Sequence, residues 1–349
     1  GGGNHPTPTT PYTHVGRLLV FGYIVRRAIS GVLVLIAIAF GVFILYFYGP
    51  SDPAQAYCPK NTCTPAQLEL ISRNLGLDKP VLVQYGDYMK GIVVGREIKT
   101  GKLTEPCGAP CLGISFKQDL EVRPYLMGRF PATLSVAVGG AVVFLLVGVS
   151  VGVTSARRRG SALDRGLVGF TMFTTAIPYY LVALLGYLIL INQTGLFPGS
   201  GYFSPFTEGP IAWIKGMLLA WVILGFFYST AYARYSRGSM IEALNEDYVR
   251  TAKAKGLKDR TVATRHAFRA AIVPIVTIFG IDFAGLLAGT IFTEYIFDIP
   301  GIGVAALQSV TNKDLPLISA TVLIAAAFVV TANLLVDLAY AALDPRVRL

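Results

Sequence analysis

Residues able to perform covalent or metal chemistry are few and scattered in this sequence. The three histidines are His5, His14 and His266, and no His-Glu-x-x-His pair is present to hold a catalytic zinc ion. The sequence also lacks the Gly-x-x-x-x-Gly-Lys-Ser/Thr loop that cradles nucleotide phosphates. We therefore expect no catalytic residue, no metal site and no cofactor bound by this chain.

The four cysteines occur as two short pairs. Cys58 and Cys63 stand in CPKNTC, and Cys107 and Cys111 stand in CGAPC. We expect disulfides, because a segment of ~75 residues has little core of its own and gains from cross-links. A four-cysteine zinc site is the alternative, but its usual spacing is tighter than either pair offers. The connectivity stays open, although the two local pairs are the easiest to close.

The overall composition indicates a membrane protein. Of the 349 residues, 53% are hydrophobic and only 14% are charged, which is unlike a soluble domain of this length. The formal charge of +10 does not indicate nucleic-acid binding, because membrane proteins concentrate Lys and Arg on their cytoplasmic side. We expect membrane lipid as a partner, and no nucleic acid.

Six windows are apolar and long enough to cross a bilayer, which requires about 20 residues. The predicted spans are residues 28–48, 130–156, 166–190, 213–233, 270–293 and 315–340. Around them lie a tail at 1–27, a domain at 49–129, a loop at 234–269, a loop at 294–314 and a tail at 341–349. The expected fold is an all-α membrane protein with a small extracytoplasmic domain between its first and second helices.

Basic residues predict the orientation of these spans. Lys and Arg are concentrated in the N-terminal tail, after the second span, in loop 234–269 and in the C-terminal tail. The two short outer loops contain only Lys313, and Lys215 lies at the outer end of the fourth span. By the positive-inside rule, both termini are expected in the cytoplasm.

Loop 234–269 contains the segment DYVRTAKAKG, which predicts a short helix. Asn245, Glu246 and Asp247 supply capping oxygens at its start, and Gly256 is a natural stop. Val249, Ala252 and Gly256 form a narrow stripe that would suit a helix lying in a groove on another protein. The alternative is that the charges only anchor the loop on the inner side. A second helix is expected from Asp259 into the fifth span.

This segment resembles the cytoplasmic loop of ABC-transporter permeases of the binding-protein-dependent dipeptide/oligopeptide (peptide/nickel) family. The resemblance implies a coupling helix that docks onto an ATPase subunit, formed by Asp247, Tyr248, Val249, Arg250, Thr251, Ala252, Lys253, Ala254, Lys255 and Gly256. The general importer pattern Glu-Ala-Ala-x-x-x-Gly is kept only at Ala252 and Gly256, a departure that the peptide branch shares.

Three further stretches support this resemblance. TEYIFDIPGIG resembles the family pattern after the fifth span, and Glu294, Pro300, Gly301 and Gly303 within it are candidate gate residues. The backbone break at PGIG would suit a gate near the substrate entrance and would also suit a plain turn. FYGPSDPA resembles the family's exit from the first span, and DPRVRL resembles its C-terminal tail. The implied setting is the bacterial cytoplasmic membrane. The implied partners are a second homologous permease, two ATPase subunits that bind ATP and Mg²⁺, a solute-binding protein at 49–129, and a peptide substrate.

Two residues inside the predicted spans break the apolar pattern. Asp282 lies mid-span, where a charge costs at least ~2.5 kcal/mol on insertion scales. It could line the translocation path and meet a peptide ammonium group, or it could form a structural hydrogen bond to a neighbouring helix. Pro178 is expected to bend the third span.

The expected function is that of a peptide importer's permease subunit, which is not an enzyme because ATP hydrolysis falls to its partners. The alternative is a secondary transporter working without an ATPase, which would normally show inverted repeats and several intramembrane charges. Related permeases carry dipeptides, longer peptides, haem or nickel, and the sequence does not choose among them. It also leaves open whether the second permease is a different chain.

Overall fold

The computed structural model of the chain describes residues 12–48, 53–56, 63–74, 77–100, 103–115, 117–118 and 120–343. Residues 1–11 of the predicted N-terminal tail, Cys58, and the DPRVRL stretch at Asp344–Leu349 lie outside the described residues.

Five helices are long and apolar enough to cross a membrane. They are Val25–Leu45, Val122–Arg157, Pro210–Leu244, Asp259–Ala288 and Leu315–Leu338. A pair of helices, Ala162–Ala176 and Tyr179–Gln193, passes the same test but is bent by 90°. The described chain therefore contains five membrane-spanning helices, or six if the bent pair also crosses.

The elements follow one another along the chain. The helices before the second span are α1 (Tyr12–Tyr48), α2 (Pro53–Ala56), α3 (Pro65–Asn74) and α4 (Val81–Val94). Four short strands come next: β1 (Arg96–Thr100), β2 (Leu103–Cys107), β3 (Ile114–Ser115) and β4 (Leu120–Glu121). The remaining helices are α5 (Val122–Phe144), α6 (Ser150–Arg157), α7 (Ala162–Ala176), α8 (Tyr179–Tyr187), α9 (Pro210–Asn245), α10 (Asp247–Ala254), α11 (Asp259–Thr261), α12 (Phe268–Ala288), α13 (Ile291–Ile296), α14 (Ile302–Thr311) and α15 (Leu315–Leu343). π-Helical turns at Leu145–Val149, Leu188–Gln193 and Val262–Ala267 continue α5 into α6, extend α8, and join α11 to α12.

The helices occupy the predicted windows but several extend beyond them. The second predicted span lies inside a helix that already begins at Val122, and α9 continues past residue 233 to Asn245. The fifth predicted window, 270–293, extends past the end of α12 at Ala288. Gly289 ends that helix with a φ of +139°, a conformation that side chains rarely adopt.

The bend predicted at Pro178 is confirmed. Helix α7 ends at Ile177, whose extended backbone (φ −89°, ψ 130°) is the conformation favoured before a proline. Helix α8 then begins directly after Pro178, where a missing N–H costs no helical hydrogen bond. The 90° turn between α7 and α8 follows from this single residue pair.

Segment 49–129 contains the only strands among the described residues. β1 and β2 form an antiparallel hairpin with Arg96 opposite Cys107, and β3 pairs with β4 with Ile114 opposite Glu121. The chain is mostly helical, as predicted, and these two hairpins are the exception.

One of the two local disulfide pairs is present. Cys107 and Cys111 are bonded with their Cα atoms 5.3 Å apart, and both are buried beside Ile98 and Ile114. This confirms the disulfide prediction for CGAPC. Cys63 is also disulfide-bonded, whereas its predicted partner in CPKNTC lies outside the described residues.

The core lies where α5, α9 and α12 meet. Phe144, Met217, Leu224 and Tyr232 are among its largest fully buried side chains. Glycine permits the backbones of α6 and α9 to touch, since a Cβ on Gly152 would lie 2.5 Å from the Ala233 carbonyl oxygen. The second span and α9 are thus packed closely at this point.

The bundle has two ends, which we name by the elements that they carry. At the α10 end, Arg27 of α1 forms an ion pair with Asp337 of α15, with a second contact of 3.4 Å between Arg27 Nη2 and Asp337 Oδ1. At the Glu294 end, Lys117 donates a hydrogen bond to the Asn312 carbonyl. Ser115, in β3, donates one to the Asp314 carboxylate just before α15.

Candidate functional site

The predicted coupling helix is present as α10, and its packing corrects the predicted role of its stripe. Val249 and Ala252 are 0% and 6% exposed. They pack inside this chain against Met240 of α9 and Val262 and Ala271 of the helix that follows. The side chains of Val249 and Ala252 therefore face the protein's own core and not a groove on another protein, whereas Gly256, the third member of the stripe, is exposed.

The opposite face of α10 is the exposed one. It carries Tyr248, which is 44% exposed, and the side chains of Arg250, Thr251, Lys253 and Lys255. Arg250 lies 3.5 Å from Asp247, with both side chains open to solvent. The result is a cationic face containing one aromatic ring, held in place by apolar contacts beneath it.

The ends of α10 match the predicted positions. Glu246 occupies the N-cap position, but its side chain makes no capping hydrogen bond, so the predicted capping oxygens are not used. Its carbonyl accepts instead from the Val249 and Arg250 N–H groups at 3.0 and 3.2 Å. At the other end, Gly256 has a φ of +76° and reverses the chain. Asp259 then opens the next helix, as predicted.

A partly buried ion pair at the α10 end was not predicted. Asp164 is 3% exposed, and its carboxylate accepts from Arg237 Nε at 2.7 Å and Arg237 Nη2 at 2.9 Å. The Ser155 hydroxyl and the Gly160 N–H also donate to it. One carboxylate therefore joins α6, α7 and α9 at the α10 end.

A sequence signal for this pair did exist. Ser161 stands three residues before Asp164, and its hydroxyl accepts from the Asp164 N–H at 3.2 Å. This is a helix-start pattern, Ser-x-x-Asp, directly after the basic run at 157–159. The pattern identifies the helix start, but nothing in it names Arg237, which lies on a distant helix.

Asp282 forms the structural hydrogen bond that was one of its two predicted roles. The hydroxyl of the fully buried Tyr232 on α9 donates to Asp282 Oδ2 at 3.0 Å. Asp282 is nevertheless only half-buried, and the neighbouring Ile281 is 60% exposed. A Cβ on Gly285, almost one turn further along, would meet no atom within 4 Å. The carboxylate thus lies at the edge of an open face of α12.

Glu294 is the centre of the predicted gate motif. It is 0% exposed, and its Oε1 accepts from the Thr133 hydroxyl at 2.8 Å and the Thr290 hydroxyl at 3.3 Å. Its Oε2 accepts from the Val304 N–H at 2.9 Å, at the start of α14, where the helix dipole favours an anion. Thr133 in turn accepts from the Ile302 N–H at 2.8 Å.

The two motif glycines are required by the same carboxylate. A Cβ on Gly301 would lie 2.2 Å from Glu294 Cδ, and one on Gly303 would lie 2.8 Å from Glu294 Oε2. Pro300, which precedes them, is exposed. The structure thus brings Glu294, Gly301 and Gly303 together, whereas Thr133, on a distant helix, was missed by the sequence motif.

Charge in this turn is balanced by opposing effects. Burial raises the pKa of the Glu294 carboxyl, and the hydrogen bonds from Val304 and Thr133 act against that rise.

The Tyr179 hydroxyl lies 2.6 Å from Thr293 Oγ1, which connects α8 to the same turn. Four helices therefore meet around one short segment.

Comparison with known proteins agrees with this arrangement. Residues 145–349 match the family described as binding-protein-dependent transport system inner membrane component, and residues 20–137 match its N-terminal membrane component. The chain belongs to this family. It is a multi-pass inner-membrane permease subunit of an ABC importer, and the recognition made from DYVRTAKAKG and TEYIFDIPGIG is confirmed.

Individual relatives cover nearly the whole permease. A probable peptide ABC transporter permease, y4tP, of Sinorhizobium fredii is 34% identical over 93% of this chain and 99% of its own. A putative peptide transport system permease of Brucella abortus is 32% identical over 93% and 98%. The dipeptide transport system permease DppB of Escherichia coli is 31% identical over the same shares.

Proposed function

We propose that this permease forms the translocation pathway of an ATP-driven importer for peptides, and that the exposed face of α10 is where an ATPase subunit docks. The observation that carries the proposal is the two-sided packing of α10. Its inner face contacts α9 and the start of the fifth span, while its outer face presents Tyr248, Arg250 and Lys253 to solvent. Peptide is the cargo in the names of the relatives.

This packing supplies a route for movement. A partner that pushes on α10 pushes on Met240 of α9, on Val262 and on Ala271 of α12, because Val249 and Ala252 are buried in the same apolar cluster as these residues. Asp164 and Arg237 pass the same displacement to α7 and α6. We expect ATP and Mg²⁺ to bind only the partner ATPases, and this chain to respond by switching between two packed arrangements.

Contacts at the two ends support six crossings. Arg27 at the start of the first span pairs with Asp337 at the end of the last, which requires an even number of crossings between them. The first turn of the bent pair carries Asp164, which is bonded to Arg237 at the α10 end. The segment after it reaches Gly201, whose N–H donates to the Gly216 carbonyl near the start of α9. We therefore count the bent pair as the third span.

Orientation follows from the basic residues once six spans are assigned. The α10 end carries the cationic loop and faces the cytoplasm, with both termini, by the positive-inside rule. Segment 49–129 then lies outside, where disulfides persist, and Cys107–Cys111 is consistent with that side. There it would meet the solute-binding protein.

Two features of the pathway complete the proposal. Asp282 offers a carboxylate on an open face of α12, where it would meet the ammonium group of a peptide. The Glu294 turn, with Pro300, Gly301 and Gly303, would form the outer gate. A second homologous permease would close the pathway from the other side, and two ATPases would serve the pair.

Reconstitution tests the function as a whole. The permease is assembled in proteoliposomes with a second permease, two ATPases and a binding protein, and is offered dipeptides, longer peptides, haem and nickel in parallel. We expect peptide-stimulated ATP hydrolysis together with peptide uptake. Uptake by this chain alone under an ion gradient, without ATP, would instead establish the secondary-transporter alternative.

A further inference from the structure

Helix α4, in segment 49–129, is positioned by a cluster of aromatic and amide contacts with α1. The Tyr85 hydroxyl donates to the Ile36 carbonyl at 2.8 Å, and the Tyr85 ring lies 5.1 Å from that of Phe40 and 5.5 Å from that of Phe43. The buried Gln84 donates to Tyr48 at 3.3 Å.

These contacts set the level of α4 in the membrane. Ile36 lies in the middle of the apolar stretch Val25–Leu45, and Phe40 and Phe43 lie in its outer half. A helix held by these three residues cannot stand clear of the bilayer. Helix α4 therefore packs against α1 within the apolar stretch Val25–Leu45 and not beyond its outer end.

The exposed surface of α4 is divided into two stripes. Leu82, Gly86, Met89 and Val93 follow helical spacing along one side, with Leu82 77% and Val93 69% exposed. The adjacent stripe carries Asp87 and Lys90 between two exposed valines, Val83 and Val94, and Asp87 forms an ion pair with Lys79 at 2.8 Å. An apolar stripe beside a charged one is the pattern of a helix lying in a membrane interface.

The geometry points to α4 as an interfacial helix whose apolar stripe contacts phospholipid. Acyl chains would pack on Leu82, Met89 and Val93, and headgroup phosphates would meet Lys79 and Lys90. The apolar stripe continues the surface of α1, where Phe40 is 40% and Leu45 61% exposed. An exposed apolar surface on a membrane span is suited to contact acyl chains, and α4 lies directly beside it.

This inference rests on the permease being a membrane protein and is independent of its cargo. If α4 is seated in lipid, segment 49–129 is anchored at two points, by α4 on the membrane and by Ser115 on Asp314. Such anchoring would fix the height at which a partner outside the membrane can approach.

Site-directed fluorescence tests the inference. Cysteine is introduced at Leu82, Val93 or Lys90 in the full chain, labelled with a small fluorophore, and measured in the assembled importer in lipid nanodiscs. Leu33→Cys on α1, at a site 59% exposed in mid-span, serves as the lipid-facing control. Quenchers are a nitroxide on the lipid acyl chain and a nickel chelate in the water.

We expect the lipid nitroxide to quench labels at Leu82→Cys and Val93→Cys several-fold more than a label at Lys90→Cys, and about as strongly as Leu33→Cys. Stronger quenching of the first two by the aqueous chelate would overturn the inference. Shielding from both quenchers would assign the stripe to a partner protein and would equally overturn it. Quenching does not require transport, so the comparison between labelled positions can be interpreted even if the importer fails to take up peptide.

Discussion

At the residue scale, the Glu294 turn gives a physical reason for a sequence pattern. The motif could be read from the sequence, and it placed Glu294, Gly301 and Gly303 in one candidate site. It could not show that the glycines are there because a buried carboxylate occupies their side-chain space. Nor could it find Thr133, because a hydrogen bond across 161 positions leaves no local trace.

Gly301→Ala is expected to destabilise the permease by about 1–3 kcal/mol, the usual cost of overfilling a packed site. The new Cβ would lie 2.2 Å from Glu294 Cδ, which four donors hold in place. The measurement is the apparent melting temperature of the purified chain in detergent. Gly128→Ala, where a Cβ meets nothing within 4 Å, is the control and should be neutral or slightly stabilising. Equal melting temperatures for the two variants would contradict the account of the turn.

Asp282→Asn is expected to lower uptake of peptides with a free amino terminus by roughly tenfold or more, since a hydrogen bond to a charged group is worth ~1.5–3 kcal/mol. Uptake of N-acetylated peptides should change little. Competition between the two peptide forms in the reconstituted importer measures the preference.

Tyr232→Phe is the matched control for Asp282, because it removes the 3.0 Å hydrogen bond and keeps the carboxylate. If Asp282 serves only that bond, both variants will lower uptake equally and neither will alter the preference for a free amino terminus. That outcome would remove Asp282 from the pathway.

At the element scale, α10 separates what a sequence can predict from what it cannot. The helix, its stop at Gly256 and the new start at Asp259 follow from capping and backbone chemistry, which are local. The direction of its small-residue stripe does not, because a stripe buried in the same chain has the same sequence as one buried in a partner. The partner for Val249 and Ala252 is supplied by α9 and the π-helical turn, which the sequence does not place.

Lys253→Glu is expected to abolish capture of the ATPase subunits while leaving the amount of folded permease unchanged, since the side chain is exposed. Ala252→Arg is expected to reduce the folded amount itself, because Ala252 is 6% exposed and packed. Arg73→Glu on α3, an exposed charge reversal far from α10, is the control. Co-purification from membranes and size-exclusion profiles give the two readouts. Normal ATPase capture by Lys253→Glu would argue against docking on this face.

Asp164→Asn should destabilise the permease by about 1–3 kcal/mol, because Arg237, which is 28% exposed, and the Ser155 hydroxyl lose their charged partner. Glu69→Gln removes an exposed pair with Arg73 and should cost less than about 1 kcal/mol. Heat-induced aggregation of the two variants, followed side by side, measures the difference. A similar loss in both would mean that the junction of α6, α7 and α9 is not held by this carboxylate.

At the scale of the whole molecule, hydropathy located the six apolar windows but could not decide whether all of them cross the membrane. The third window is long enough and apolar, yet Pro178 divides it into two helices at 90°. Hydropathy sums composition along the chain and carries no information about direction. The count instead depends on contacts between the ends of the bundle, which are non-local.

If the bent pair crosses the membrane, cysteines on either side of it must be reachable from opposite faces. We expect Arg159→Cys to be labelled by an impermeant maleimide only in inverted vesicles, and Phe206→Cys, at a site 96% exposed, only in right-side-out ones. Labelling of both from the same face would mean that the pair re-enters without crossing and that the permease has five spans.

The ion pair between Arg27 and Asp337 has a consequence for biosynthesis. The helix that bears Arg27 leaves the ribosome before the one that bears Asp337. During translation Arg27 is therefore synthesised long before Asp337, the residue with which it pairs. The contact that this ion pair makes between α1 and α15 can therefore form only after α15 has been synthesised.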